Sequence, residues 1–340
     1  MNRITIKDIA RLLSINVSTV SRALSNHPNV NAETRQRVME VANEMGYMPN
    51  TLAVNLRRRH SGLVALLISE INMFFVPSVI RTIEKEMRAS GYRLLILQSN
   101  DSYEAEAENL KICRQLAVEG ILVSLSAETQ SLERFEPVFE DGIPVVFFDK
   151  VPSGPYNSVS IDDAKTACNA TDYLIQQGHE RICGLFGVPS LRITQERLKG
   201  FRRRLDIAGL VSDPSLELFA ASSKIANELL LDFLERDKSV TALFAMSDEL
   251  LVGAVQAAEA AGLRVPSDFS ILCISDGSAP DFYNPRISYL HHSGHDIGIE
   301  ASHRLLELIE HGAQEPPKQI ELQCQLVASQ SVASPLCNFN

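Results

Sequence analysis

The sequence predicts an N-terminal all-α helix-turn-helix headpiece followed by a two-lobed α/β body built from two doubly wound parallel sheets. Three observations carry this prediction. Residues 5–24, TIKDIARLLSINVSTVSRAL, hold two short amphipathic helical patterns around a tight turn. From Ser61 onward, apolar strand-like runs alternate with amphipathic helical runs, and the alternation occurs as two successive sets. The chain has 340 residues, 45% of them hydrophobic, enough for two or three domains with large cores.

The headpiece reads element by element. Thr5 and Asp8 have the spacing of an N-terminal capping box. Ile6, Ile9, Ala10 and Leu13 fall at i, i+3, i+4 and i+7, one buried helical stripe. Ser14-Ile15-Asn16 makes the turn, with Asn16 as N-cap of the next helix. Over Val17–Leu24, Val20 and Leu24 face inward, while Ser18, Arg22 and Ser25 line the opposite face. Asn31 caps a third helix with Val38, Val41, Ala42 and Met45 inward, and Gly46 stops it. A helical hairpin alone has no specific meaning. Three helices around one core, exposing hydroxyls and one arginine, form a unit able to enter a major groove. There, arginine donates two hydrogen bonds to guanine.

Charge supports this reading. The net charge of −10 opposes nucleic-acid binding if taken as a whole. Residues 1–60, however, hold nine Lys and Arg against four acids, a balance of +5, which leaves −15 on the remaining 280 residues. A basic head on an acidic body confines phosphate attraction to one end. Six scattered cysteines (113, 168, 183, 273, 324, 337) show neither C-x-x-C nor zinc spacing, so reduced thiols and no metal are expected. The polar start and the absence of an apolar run near 18 residues predict no export signal and no membrane span, hence a cytoplasmic protein.

Pro49-Asn50-Thr51-Leu52-Ala53-Val54-Asn55-Leu56, followed by Arg57-Arg58-Arg59, joins head to body. So short a helix is marginal in water, and a solvated linker is the plain alternative. In the body the first set has strands at Leu63–Ile68, 92–98, 121–125 and Val145–Phe148, with helices at 77–90 and 104–117. The second set follows Ser158-Val159-Ser160-Ile161, with strands at 181–186, 242–246 and 270–274 and helices at 164–177, 196–208, 225–235 and 249–261.

T-x-x-D-I-A, then V-S-T-V-S-R-A-L, then the segment from Asn31 to Asn50 resemble the LacI/GalR family of bacterial transcription regulators, over nearly the whole chain. The first turn departs from the family's usual Ala-Gly-Val-Ser, and losing its glycine costs some stability. The resemblance implies that DNA is contacted by Thr5, Val17, Ser18, Thr19, Ser21, Arg22 and Asn29. Base reading would fall to Val17, Ser18 and Arg22. It makes 49–60 a hinge helix that orders when two subunits pair on DNA, with Leu56 wedged into the minor groove and Arg57 beside it. The domains would be a headpiece at 1–48, this hinge, and an effector-binding and dimerisation region at 61–340. Within that region, lobe one would take about 61–160 and 292–325, and lobe two about 161–291 and 326–340. Three strands would cross between lobes, as in periplasmic sugar-binding proteins.

Ligands in such folds meet the carboxyl ends of strands. Asn72, Phe74, Phe75, Asp149, Arg197, Ser247 and Asp276 stand at those ends and form the expected effector site. The family places its effector-contacting arginine at Arg197 and an aspartate at Asp276. Arginine with carboxylates suits vicinal hydroxyls, and phenylalanine covers the apolar face of a sugar. Asp248 and Asp162 read equally as helix caps or ligand contacts. Arg192 reads either as a solvated loop residue or as a second cation, which would favour a uronate or phosphorylated sugar over its neutral parent. The partners implied are a near-palindromic double-stranded DNA operator, a small-molecule effector, most simply a saccharide with a purine next, and a second copy in a homodimer. The dimer expectation includes the lack of a leucine heptad before Asn340. No cofactor is implied. The chain has no G-x-S-x-G, no P-loop and no G-x-G-x-x-G, so catalysis is not expected although His291-His292 lies near serines and aspartates. A secreted solute-binding protein would share the two lobes but has no use for a basic headpiece.

Overall fold

A computed structural model describes residues 4–47, 61–71, 74–126, 128–129, 131–312 and 316–335. The chain divides into two compact units at Ser61 and Gly62.

The first unit holds α1 (Ile6–Leu13), α2 (Val17–Leu24) and α3 (Ala32–Glu44). Ile9, Ala10, Val20, Ala23, Val30, Val38 and Ala42 form its core. The capping box forms: the Thr5 amide and hydroxyl both donate to Asp8 Oδ2, at 2.9 and 2.7 Å. Asn31 Oδ1 accepts from the Thr34 amide at 2.7 Å. Asn16 occupies the N-cap position of α2, but its side chain makes no capping bond; its carbonyl accepts from Thr19 and Val20 instead. Ser14 stands where a glycine would be favoured and takes the left-handed region at φ +52°. Arg35 ties the α2–α3 loop by donating to the carbonyls of His27 and Val30.

The second unit begins with β1 (Leu63–Ile68), α4 (Phe75–Ala89), β2 (Arg93–Gln98), α5 (Tyr103–Gln115), β3 (Gly120–Val123), α6 (Glu136–Glu140), β4 (Val145–Phe148) and β5 (Ser158–Ile161). It continues with α7 (Asp163–Gln176), β6 (Ile182–Phe186), α8 (Arg192–Ile207), β7 (Glu217–Phe219), α9 (Ser223–Arg236), β8 (Ala242–Ala245), α10 (Asp248–Ala260), β9 (Ser270–Ser275) and β10 (Ser288–His291). It ends with α11 (Gly294–His311), β11 (Gln319–Leu322) and β12 (Gln325–Val327). The first sheet has order β11-β5-β4-β3-β1-β2 and every pairing is parallel. The second has order β12-β10-β9-β8-β6-β7, with β12 antiparallel to β10.

Burial explains why these runs are strands. β1, β3, β4, β6 and β8 are covered on both faces, and their sequences are continuously apolar, as internal parallel strands require. β2 lies at a sheet edge and keeps Arg93, Ile96 and Gln98 exposed. Beneath the first sheet, Val79, Ile83 and Met87 of α4 meet Ile297, Ala301 and Leu305 of α11. On its other face lie Leu110 and Cys113 of α5 and Val138 of α6. The chain passes between lobes three times: from β5 to α7, from β10 to α11, and from β11 to β12.

Some elements differ from the sequence reading. β7, of three residues, and α6, of five, are too short to show a period and were not expected. α8 starts at Arg192, a turn earlier than expected, because Thr194 and Arg197 already belong to its buried face. Cys113, Cys168, Cys183, Cys273 and Cys324 are free thiols, and Cys337 lies outside the described residues. Among the described residues no helix is long and apolar enough to cross a membrane, and no group of His, Cys, Asp and Glu is placed to hold a metal.

Candidate effector cleft and DNA interface

In the headpiece, burial of Val20 and Ala23 turns the other face of α2 outward. Val17, Ser18 and Arg22 are exposed on it, and Thr5 and Asn29 are exposed at the flanking helix start and loop. Thr19 and Ser21 are half-buried. Arg22 has no ion-pair partner among the described residues, so its five donors remain available to a base edge. Leu56 and Arg57 lie outside the described residues.

In the body, the C-terminal ends of both sheets border a cleft. Its main cavity, about 1160 Å³, is walled by the segments after β3 and β4, by β5 and β11, and by the starts of α7 and α8. Asp149 is the expected effector residue that lines it. This residue ends β4 in the left-handed region, φ +57°, which turns its side chain off the strand line. No described residue donates a hydrogen bond to its carboxylate; the nearest basic atom is His292 Nε2 at 3.9 Å from Oδ1. Burial raises the Asp149 carboxyl to about 6, against the pull of Lys150 and Arg197. Burial also holds His292 far below its ordinary value, so it stands neutral, stacked on Phe75 with ring centroids 4.3 Å apart.

The other expected residues take different places. Arg197 is 3% exposed and does not line the cavity. Its Nε donates to Asp163 Oδ1 at 2.7 Å, and its Nη1 donates to the Met246 carbonyl. Phe74 takes φ +80° at the start of α4, in lobe one, yet packs against the hydrophobic core of lobe two. Ser247 caps α10 through the Leu250 amide. Asp276 accepts from the Ser278 amide at 3.0 Å. Asn72 lies outside the described residues. Asp162 caps α7 by accepting from the Lys165 amide, and it also lines the cavity. Asp248, the first residue of α10, is 7% exposed. Burial, with Asp276 nearby, raises it to about 7.

Arg192 is exposed and lies on the cavity wall. It reaches from α8 in lobe two to lobe one, donating to the Val151 carbonyl and to Ser153 Oγ at 3.5 and 3.2 Å. Lys150, which sequence reasoning missed although it follows Asp149, bonds Ser69 and Asp101. The cavity presents six carboxylates (Glu128, Asp149, Asp162, Asp163, Glu196, Glu321) against the two cations Lys150 and Arg192. That balance disfavours the acidic or phosphorylated ligand that Arg192 alone suggested. Hydroxyls of Ser126, Thr129, Ser153 and Ser190 complete a wall suited to a polyol.

Comparison with known proteins agrees with both units. Residues 5–50 match the description of bacterial regulatory proteins of the lacI family, and residues 62–330 match that of periplasmic binding proteins and the sugar-binding domain of the LacI family. The chain belongs to the LacI family of bacterial regulatory proteins. Among LacI-family relatives, the HTH-type transcriptional regulator DegA of Bacillus subtilis (strain 168) is 30% identical over 98% of each chain. The transcriptional regulator CelR in its cellobiose complex is 26% identical, with a TM-score of 0.71 over 97% of this chain and all of that one. The Lac repressor dimer bound to operator and the anti-inducer ONPF shares the fold, with a TM-score of 0.86 at 21% identity over 98% of this chain and all of that one.

Proposed function

We propose that this LacI-family regulator is a cytoplasmic homodimeric repressor whose grip on a near-palindromic operator is set by a neutral saccharide bound between its lobes. The observation that carries the effector assignment is Asp149: a carboxylate to which no described residue donates a hydrogen bond, on a left-handed backbone that borders a hydroxyl-rich cavity. Two adjacent hydroxyls of a sugar would supply the donors that the protein withholds. Thr5, Val17, Ser18, Thr19, Ser21, Arg22 and Asn29 would face DNA, with Leu56 and Arg57 acting from the hinge. Arg197, Phe74, Phe75, Asn72, Ser247 and Asp276 would support the effector from the closed lobes. A direct contact would require Arg197 to exchange its bonds to Asp163 and the Met246 carbonyl, both in its own lobe, for bonds to the ligand. The body is read as a binding module without catalysis. His291 Nε2 pairs with the Asp276 carbonyl at 3.1 Å, and among the described residues His292 Nε2 has no hydrogen-bond partner, which supports that reading.

The test is operator selection from genomic fragments by the full-length protein, followed by a thermal-shift screen of neutral sugars, uronates, sugar phosphates and nucleobases. A selected fragment with two half-sites, and a neutral sugar that alters its release, support the proposal. Absence of any preferred fragment overturns the regulatory reading, and a response confined to nucleobases overturns the saccharide.

A further inference from the structure

We infer that His27 is a positioning residue of the DNA interface: its unprotonated ring fixes the turn that presents Asn29, so the protein tells its operator from other duplexes less well as the pH falls. This inference deepens the DNA-binding reading of the headpiece and rests on it. It starts from the join between α2 and α3. Asn26, in the left-handed region at φ +55°, follows the end of α2. His27, Pro28, Asn29 and Val30 then form a β-turn, closed by the Val30 amide donating to the His27 carbonyl at 3.2 Å. Proline at the second position pre-sets the backbone for such a turn. Asn29, at the third, is exposed.

Half-buried His27 is the junction of this turn. Its amide donates to the Arg22 carbonyl at 2.9 Å, and its carbonyl also accepts from Arg35 Nη2 at 3.0 Å. Its ring Nδ1 accepts from the Asn29 amide at 3.2 Å. A ring nitrogen accepts only in the neutral imidazole, with the proton on Nε2. The arrangement is an Asx-turn built with a histidine; in the usual form an Asn or Asp oxygen accepts from the amide two residues on. An asparagine oxygen keeps that role at any pH. A second proton on the imidazole instead turns the acceptor into a donor facing a donor, and the Asn29 amide loses the one partner it has among the described residues. Charged groups on the elements around the turn are Arg22 of α2 and Glu33 and Arg35 of α3. Among the described residues none of them bonds the ring, so no carboxylate takes over its added proton. Loosening Asn29 releases a contact that sets the register of α2 on the duplex. The charge gained by the ring meanwhile favours phosphate whatever the sequence. Discrimination falls while general attraction to DNA does not.

Fluorescence anisotropy of the full-length protein tests this inference. The probes are the operator selected from genomic fragments and a scrambled duplex of the same length, titrated from about pH 8 to about pH 5, the span over which histidines change charge. The ratio of operator to scrambled affinity should fall at least fivefold across this span, from one hydrogen bond lost in each headpiece. Affinity for the scrambled duplex should hold or rise. His27→Asn should keep the parent's high-pH ratio within twofold at every pH, because its oxygen restores the bond without titrating. His27→Ala should show the parent's low-pH ratio at every pH. In an Asn29→Ala background, His27→Ala should change the ratio less than twofold, since the side chain being positioned is gone. A parent ratio that is flat with pH overturns the inference, as does a fall that persists in His27→Asn. A His27→Ala ratio equal to the parent's at pH 8 overturns it too. In those three outcomes the DNA-binding reading stands. The absence of any fragment preferred over the scrambled duplex at every pH overturns that reading and the inference with it.

Discussion

Asp149 shows how one residue can be strained by the backbone and still be useful. A non-glycine residue at φ +57° costs about 1–2 kcal/mol, and aspartate is among the residues that tolerate it best. Asp149→Asn keeps that tolerance and removes the charge. Calorimetry should show effector affinity reduced at least tenfold, while thermal stability is unchanged or higher. Ser14 carries similar strain at φ +52° without a comparable contact. Ser14→Gly should therefore raise headpiece stability by about 0.5 kcal/mol, the relief of strain minus glycine's added freedom when unfolded, read from amide exchange of α1 and α2 in the full chain. Arg22→Ala should relax base choice within each half-site, as selection from a randomised operator library would report. At this scale the sequence was only partly legible. Asp149 was visible because VVFFD places a charge at a strand end. The commitment of Arg197 to Asp163 was not, since those residues are 34 positions apart and meet only once α7 and α8 pack.

Helix pairing decides the next level. Gly200 of α8 approaches α7 so closely that a Cβ would lie 2.0 Å from the Ala164 carbonyl oxygen. Because the obstacle is backbone, no rotamer change relieves it, and Gly200→Ala should destabilise the body by about 3 kcal/mol in urea unfolding. At the start of α10, Asp248 has a folded value of about 7 against an ordinary 3.8. The sign follows directly. Burial costs nothing while the group is protonated in both states, and the stability present below pH ~4 is lost as pH rises through 7. Asp248→Asn should escape this loss. Its melting temperature should gain on the parent between pH 4 and 7 and hold a constant lead above, on the order of 4 kcal/mol in stability. A lead that is flat from pH 4 upward would show Asp248 to be ionised throughout. Strands and long helices were legible from their apolar runs and caps. β7 and α6 were not, because three and five residues hold too little pattern to separate from a loop.

For the molecule as a whole, operator and effector must alter each other's affinity by one common factor, typically ~5–150-fold, whichever direction the response takes. Titrating effector with and without operator, and operator with and without effector, checks that equality. Leu56→Ala should weaken operator binding and reduce DNA bending while leaving effector affinity unaltered, as gel mobility and calorimetry would show. The two-sheet architecture was legible because β-α alternation restarts after Ile161. The position of the cavity was not, since it depends on which side chains fill the space between closed lobes, and Phe74 fills part of it from the opposite lobe.

The three passages between lobes have a consequence for biosynthesis. β5 acquires its outer neighbour only when Gln319–Leu322 arrives, and the underside of the first sheet is sealed by α11, whose Leu305 lies against Gly120. A ribosome that has delivered only the first half of the polypeptide therefore holds an unsealed sheet with Val79, Ile83 and Met87 uncovered by α11. Protease resistance of lobe one in stalled chains should therefore appear late, once Gly294–His311 and Gln319–Leu322 have emerged from the ribosome.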